Sequence, residues 1–265
     1  MSRESSTSVE RIEPAQTPPL ELALHVSRYR FASRLVEGKT VLDAGCGVGY
    51  GSRELRLGPA GSYVGVDRSP EAIRAAQREY AAPDRFFLRG DVTALPFADG
   101  HFEAVLSFEV IEHLREVHRY LAELRRVLRS TGACVISTPN RRWLSADITE
   151  PDNPYHVREY DVGEFRELVG AHFPEVQLVG QHEGARAGVV RRAERSYGLF
   201  LERMGLRRLR HLVPIGLRAW IHSLVVDLMS RSGGVRPVTI ESRDFDFTTD
   251  RVEDARILLA VCRAP

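Results

Sequence analysis

Two stretches of this chain carry residues whose types and spacing could do chemistry. The first is Phe108-Glu109-Val110-Ile111-Glu112-His113. If this turn is helical, Glu109, Glu112 and His113 stand at i, i+3 and i+4 and share one face. Carboxyls beside an imidazole can give and take protons near neutral pH, with His113 as a base and Glu112 beside it. A second histidine, His156, follows in Asn153-Pro154-Tyr155-His156-Val157-Arg158-Glu159-Tyr160. Plainer roles stand beside these: Glu112 as a helix cap, His113 as a packed imidazole and His156 as a loop-ordering residue. The second stretch is residues 41–52, Val-Leu-Asp-Ala-Gly-Cys-Gly-Val-Gly-Tyr-Gly-Ser. Gly45, Gly47 and Gly49 alternate there, as in a buried strand that ends in a tight turn, where a Cβ would keep a ligand off the backbone. A nucleotide-like cofactor is the usual guest of such a turn. Asp43, just ahead of the glycines, repels pyrophosphate and suits a cationic or amino group.

These residues need strands that end along one edge. The apolar runs predict strands at 40–44, 62–66, 85–88, 104–107, 133–137, 175–179 and 255–262, the fifth closed by Thr138-Pro139-Asn140. Helices are expected over 20–36, as one or two, then from Gly49 to about Leu57, after Ser69-Pro70, over 114–128 and over 162–169. Ser69 reads as an N-cap and Pro70 as the first helical residue. Strand and helix alternate, which implies right-handed crossovers. The expected fold class is α/β: a seven-stranded Rossmann-like, mostly parallel sheet with helices on both faces. The seventh strand is expected to run antiparallel at the sheet's end. Residues 19–184 and 251–265 form the expected core, residues 1–18 a disordered tail, and 185–250 a helical lid inserted near the C-terminal hairpin.

The strand ends supply the rest of a cofactor constellation. Asp67, at the end of the second strand, can accept both ribose hydroxyls of a nucleoside. In Gly90-Asp91-Val92 a carboxylate can accept from an adenine amino group while the Val92 N–H serves a ring nitrogen. Ser107-Phe108 would form the other wall, with carbonyls for an α-amino group. S-adenosylmethionine carries both a sulfonium and an α-amino group, and so fits Asp43.

The run VLDAGCGVGYG, the acid of VGVD, the block GDVTALPFADGHFEAVLSFEVIEHL and the ISTPN turn together resemble class I S-adenosylmethionine-dependent methyltransferases. The resemblance covers about residues 25–184 and 255–265, in the family's order. It implies that Asp43, Gly45, Gly47 and Gly49 cradle the methionine part, that Asp67 with Arg68 holds the ribose, and that Asp91 and Val92 hold the adenine. It also puts Phe108 on the cofactor wall. HVSRYRFA is similar to the first helix of such enzymes, where Tyr29, with Arg28 or His25, would face the cofactor carboxylate. Over EVIEH the chain is similar to ubiquinone-pathway O-methyltransferases. The set Glu109, Glu112, His113 and His156 is similar to the Glu-x-x-Glu-His…His set of small-RNA 3′-end 2′-O-methyltransferases, in which it holds a divalent ion. Two carboxylates and two imidazoles suit Mg, Mn, Fe or Zn with open positions for a substrate oxygen. A base at His113 without a metal, or catalysis by positioning alone, stays equally open.

Composition narrows the partners. Of 265 residues, 37 are basic and 36 acidic, so a net charge of +1 exerts no global pull on nucleic acid or membrane. Lys39 is the only lysine, a bias we read as high-GC bacterial composition. That bias weakens the meaning of the arginines between 186 and 218, whose apolar neighbours suit a lid packed on a core. Trp143, Trp220, Phe245 and Phe247 are pocket-lining aromatics or core. The three cysteines, Cys46, Cys134 and Cys262, are too few and too scattered for a disulfide framework or a metal pair, and point to a reducing cytosol. No segment is apolar enough to span a membrane. The expectation is a cytoplasmic monomer or homodimer that methylates an oxygen, or less readily a nitrogen, of a small molecule such as a secondary metabolite or modified sugar. The rivals are an RNA 2′-O-methyltransferase and a non-catalytic cofactor-binding partner protein.

Overall fold

The structure is a computed structural model and describes residues 11–144, 153, 155–192 and 240–263. Within them the chain forms eight strands: β1 (Thr40–Ala44), β2 (Ser62–Asp67), β3 (Arg85–Arg89), β4 (Phe102–Phe108), β5 (Leu128–Pro139), β6 (Glu175–Glu183), β7 (Phe245–Thr248) and β8 (Ile257–Arg263). The helices include α1 (Pro19–Val36), α2 (Pro70–Tyr80), α3 (Val117–Val127), α4 (Arg141–Leu144) and α5 (Val162–Gly170), and residues 185–192 are helical as well. The strands lie in one sheet in the order β3-β2-β1-β4-β5-β8-β6-β7.

From β3 to β5 every pairing is parallel, with Asp43 beside Gly65 and Leu106. β8 runs antiparallel to both β5 and β6. The expected seven strands are therefore corrected to eight. The last strand is antiparallel as expected, yet it lies inside the sheet between β5 and β6, not at its end. β7, a four-residue strand reading Phe-Asp-Phe-Thr, is the added edge. It is too short to announce itself by periodicity, and its two phenylalanines had suggested only core or pocket.

Local chemistry explains the other boundaries. Ser69 caps α2 by accepting from the Ala72 N–H at 3.2 Å, and Pro70 is its first residue, as the sequence predicts. The helix expected after Gly49 shrinks to a 3₁₀ turn, Tyr50–Glu54, because Leu55 is already extended. α3 starts at Val117 instead of Leu114, since a separate 3₁₀ turn, Ile111–His113, ends with Leu114 extended. α5 begins with a capping box in which Asp161 accepts from the Glu164 N–H and Glu164 from the Asp161 N–H. The core between sheet and helices includes Leu42, Phe102, Ile111, Tyr120, Phe165 and Leu258. Cys134 and Cys262 are register partners on β5 and β8, both buried and free, as core residues should be.

The chain divides into two compact units. One is Thr17–Ser27 with Glu183–Asp246; the other is the remainder. The site below lies wholly in the second. Trp220 and all but the ends of the expected 185–250 lid lie outside the described residues, as does the beginning of the expected tail. No helix among the described residues is long and apolar enough to cross a membrane.

Candidate active site

The glycine turn separates into packing and open space. Gly45, Gly47 and Gly49 all have positive φ, at 87°, 56° and 81°. A Cβ on Gly45 would strike the Val110 side chain, and one on Gly49 would come within 2.9 Å of Ala76. A Cβ on Gly47 meets only Arg11 Cγ at 3.9 Å. Gly45 and Gly49 are thus small so that the turn can pack. Gly47 has room for a Cβ, with Arg11 Cγ in ordinary contact.

Asp67 anchors this turn. Its Oδ2 accepts from the Gly47 N–H at 3.0 Å and its Oδ1 from the Ser69 N–H at 2.8 Å. Arg68 follows it, and its carbonyl accepts from Arg89 Nε at 3.1 Å. At the end of β3, Asp91 Oδ1 accepts from the Thr93 N–H and hydroxyl, both at 2.8 Å. Those bonds hold its carboxyl below the usual range. Its neighbour Val92 is buried. Asp67 and Asp91 follow adjacent parallel strands, so the residues expected for ribose and adenine sit at neighbouring strand ends.

Asp43 is fully enclosed. Tyr29 and Tyr63 both donate to its Oδ2, at 3.0 and 2.7 Å, while its Oδ1 is buried with no partner. Burial pushes its carboxyl up to about 6, against the pull of the two tyrosines. The Tyr29 hydroxyl is therefore committed to Asp43. Its ring stands edge-on to Tyr50 and Phe108 and closes over Gly51. The more open partner on α1 is Arg28: it is fully buried, donates from Nη1 to Gln181 at 3.1 Å, and leaves Nε and Nη2 without a hydrogen-bond partner. Its charge is offset by the Glu109 carboxylate, 3.9 Å from Nη2, without a hydrogen bond between them.

The Glu109–His113 turn departs from a single helical face. Glu109 has φ 55° and lies outside the 3₁₀ turn. Its carboxylate accepts from the Ser137 hydroxyl at 2.8 Å and stands 3.9 Å from Arg28. Glu112, His113 and His156 do come together, with one ligand atom from each within 4.8 Å of the others. Glu109 is not in this group: its carboxylate is bonded to Ser137 on β5 and stands near Arg28 on α1.

Each of the three is held from behind. Glu112 is buried, with Oε2 accepting from the Thr138 hydroxyl at 3.2 Å and Oε1 left without a partner. Burial and the nearby Glu109 push its carboxyl well up. His113 Nδ1 lies 2.9 Å from the Tyr155 carbonyl, which only accepts, so that nitrogen carries a proton and, in the neutral ring, Nε2 has the lone pair. His156 Nδ1 lies 2.9 Å from Glu159 Oε1, and its Nε2 is 3.0 Å from Asn153 Nδ2. The loop is tied to the turn by main-chain bonds from Val157 N and Arg158 N to the Glu112 carbonyl, at 2.7 and 3.2 Å.

Several of these supporting residues escape a reading of the sequence. Tyr63 and Ser137 lie far along the chain from the carboxylates they hold. Glu159 had a usable signal, its i+3 spacing from His156.

Residues 42–136 match the family model described as a methyltransferase domain. A probable S-adenosylmethionine-dependent methyltransferase of Mycolicibacterium smegmatis is 29% identical over 245 residues, covering 91% of this chain and 88% of its own. Phthiotriol/phenolphthiotriol dimycocerosates methyltransferase 1 of Mycobacterium ulcerans is 38% identical over 130 residues, 44% of this chain and 48% of that relative, so the match spans about half its length. The crystal structure of an S-adenosylmethionine-dependent methyltransferase from Aquifex aeolicus shares the fold. Its TM-score is 0.51 at 18% identity, over 65% of this chain and 93% of the other.

Proposed function

We propose that this chain, whose residues 42–136 are a methyltransferase domain, moves a methyl group from S-adenosylmethionine to a hydroxyl oxygen of a small molecule. The observation that carries the reading is the room for a Cβ at Gly47, whose N–H is held by Asp67. Asp67 receives the ribose hydroxyls, Asp91 and Val92 the adenine, and the bare Oδ1 of Asp43 the cationic amino end. Arg28 takes the cofactor carboxylate through Nε and Nη2, which make no hydrogen bond. The Mycobacterium ulcerans relative is named for an alcohol, phthiotriol, which supports oxygen over nitrogen as the acceptor.

The transfer is an in-line displacement. The acceptor oxygen forms a bond to the methyl carbon as the carbon–sulfur bond breaks, and its electron pair returns to sulfur. The acceptor's proton goes to His113 Nε2, the nitrogen that the Tyr155 carbonyl leaves with a lone pair. Positioning supplies much of the remaining rate. Asp67→Ala should weaken S-adenosylhomocysteine binding by about a hundredfold, the loss of a two-pronged charged hydrogen bond. Unchanged affinity by titration calorimetry would exclude the cofactor site described here.

A divalent ion is the second reading, favoured by the convergence of Glu112, His113 and His156. Hydrogen bonds behind each residue suit ligands, and the buried Glu112 Oε1 lacks any partner. Glu109 is not among them, and His156 would have to release Asn153. When bound, such an ion would lower the pKa of the acceptor hydroxyl. Purified protein should then bind Mn²⁺ with an altered electron paramagnetic resonance spectrum that is lost in Glu112→Gln. An unperturbed Mn²⁺ spectrum leaves His113 as the base.

A further inference from the structure

The segment ahead of α1 reaches the glycine turn. Residues 11–16 belong to the same compact unit as β1 and α2. Arg11, Ile12, Glu13 and Pro14 are half-buried. The segment is also folded on itself, with the Gln16 N–H donating to the Glu13 carbonyl at 2.9 Å and Gln16 Nε2 to Glu13 Oε2 at 2.6 Å. It is packed, although its composition predicts a loose tail.

Arg11 reaches two points that flank Asp67. Its Cγ is the atom that a Cβ on Gly47 would meet, at 3.9 Å. Its charge acts on Glu71, in the first turn of α2. Hydrogen bonds from the Glu71 main chain and the Ser69 hydroxyl, then the charges of Arg74 and Arg11, hold that carboxyl below its usual range. The close partners of Glu71 are Ser69 Oγ at 3.0 Å and Arg74 Nη2 at 3.1 Å, so Arg11 attracts it from farther off. Asp67 is bonded to the Gly47 N–H on one side and to the Ser69 N–H on the other. Among the described residues no hydrogen bond or ion pair holds the Arg11 guanidinium. Its stem thus lies against the turn while its donors stay available, which suits a side chain that covers a ligand and lets go of it.

We propose that residues 11–14 form a strap across the cofactor turn, closed by Arg11 between Gly47 and Glu71, and that cofactor bound at Asp67 leaves only when the strap lifts. The proposal rests on the reading of Asp67 as the ribose site. Arg11 is then a retaining residue: it slows release and leaves encounter unchanged. An attraction between exposed charges is weak and screened by salt. Weakness is useful here, because the spent cofactor must depart once in every turnover.

The test follows release of S-adenosylhomocysteine from the full chain by surface plasmon resonance. Arg11→Ala should speed release about fivefold and leave association within about twofold. Arg11→Lys should restore most of the loss, since it keeps a stem and a charge. Glu71→Gln should speed release about twofold, and adding it to Arg11→Ala should bring no further gain. Raising NaCl from about 0.05 M to about 0.5 M should speed release from the unaltered chain but not from Arg11→Ala. Saturating S-adenosylhomocysteine should also protect the Arg11–Ile12 bond from trypsin, read by mass spectrometry. An unchanged release rate in folded Arg11→Ala overturns the strap, as does cleavage after Arg11 at the same rate with and without S-adenosylhomocysteine. Full affinity in Asp67→Ala removes the ribose site and the strap with it. Weakened binding in Asp67→Ala beside unchanged release in Arg11→Ala removes the strap alone.

Discussion

Asp43 is held by two tyrosine hydroxyls on one oxygen while the other is buried and bare. Its carboxyl therefore titrates near 6 in the folded chain, against 3.8 for the free group. The folded state binds that proton more tightly, so stability falls as pH rises from about 4 to about 6, by roughly 3 kcal/mol at most, and is flat above. A cationic amino group on Oδ1 favours the ionised form and reverses the trend for binding. Affinity for S-adenosylhomocysteine should thus drop by about tenfold between pH 7 and pH 5, with proton release on binding near pH 6. Calorimetry in buffers of different ionisation enthalpy checks this, and Asp43→Asn should flatten the profile. The place of Asp43 just ahead of the glycine turn was legible in the chain because both lie in one local run. Its tyrosine partners were not, since Tyr29 and Tyr63 reach it only once α1 and β2 have packed against β1. Glu109 shows the opposite failure. Its spacing from Glu112 suggested a shared face, which φ 55° removed.

At the scale of elements, the β1 turn shows how one motif serves two purposes. Gly45 is hemmed in by Val110 and Gly47 is not, although both have positive φ. Gly47→Ala should cost about 1 kcal/mol of stability from backbone strain alone. It should also weaken cofactor binding several-fold, because the new methyl enters the ligand's space. Gly45→Ala adds a collision to the same strain and should cost about 3 kcal/mol or more. Urea melts paired with cofactor titration separate the two outcomes. Capping chemistry was readable at Ser69-Pro70, where the signal is contained in neighbouring residues. Element length was less readable after Gly49, where the helix expected to reach Leu57 stops at Glu54.

For the whole molecule, the decisive feature is the place of β8. It lies between β5 and β6, with Ala260 opposite Ile136 and Leu178 and fully buried. Ala260→Asp puts an unpaired charge into the middle of the sheet and should cost about 4 kcal/mol. Had the strand been at the sheet's end, the same change would be far milder. Phe86→Lys on the outermost strand β3, where the side chain is 52% exposed, should shift stability by no more than about 0.5 kcal/mol. Chemical denaturation of the two variants tests the strand order directly.

The strand-and-helix alternation, the glycine turn, the placing of Asp67 and Asp91 at strand ends and the α2 cap were all set by residues within a few positions of one another. Hydrophobic period, turn chemistry and capping act over that range, so the chain alone determined them. Strand order, the company kept by Asp43, and the reduction of four possible ligands to Glu112, His113 and His156 were decided only by tertiary packing. Each depends on segments far apart in sequence, held together by burial and by hydrogen bonds that no local pattern encodes.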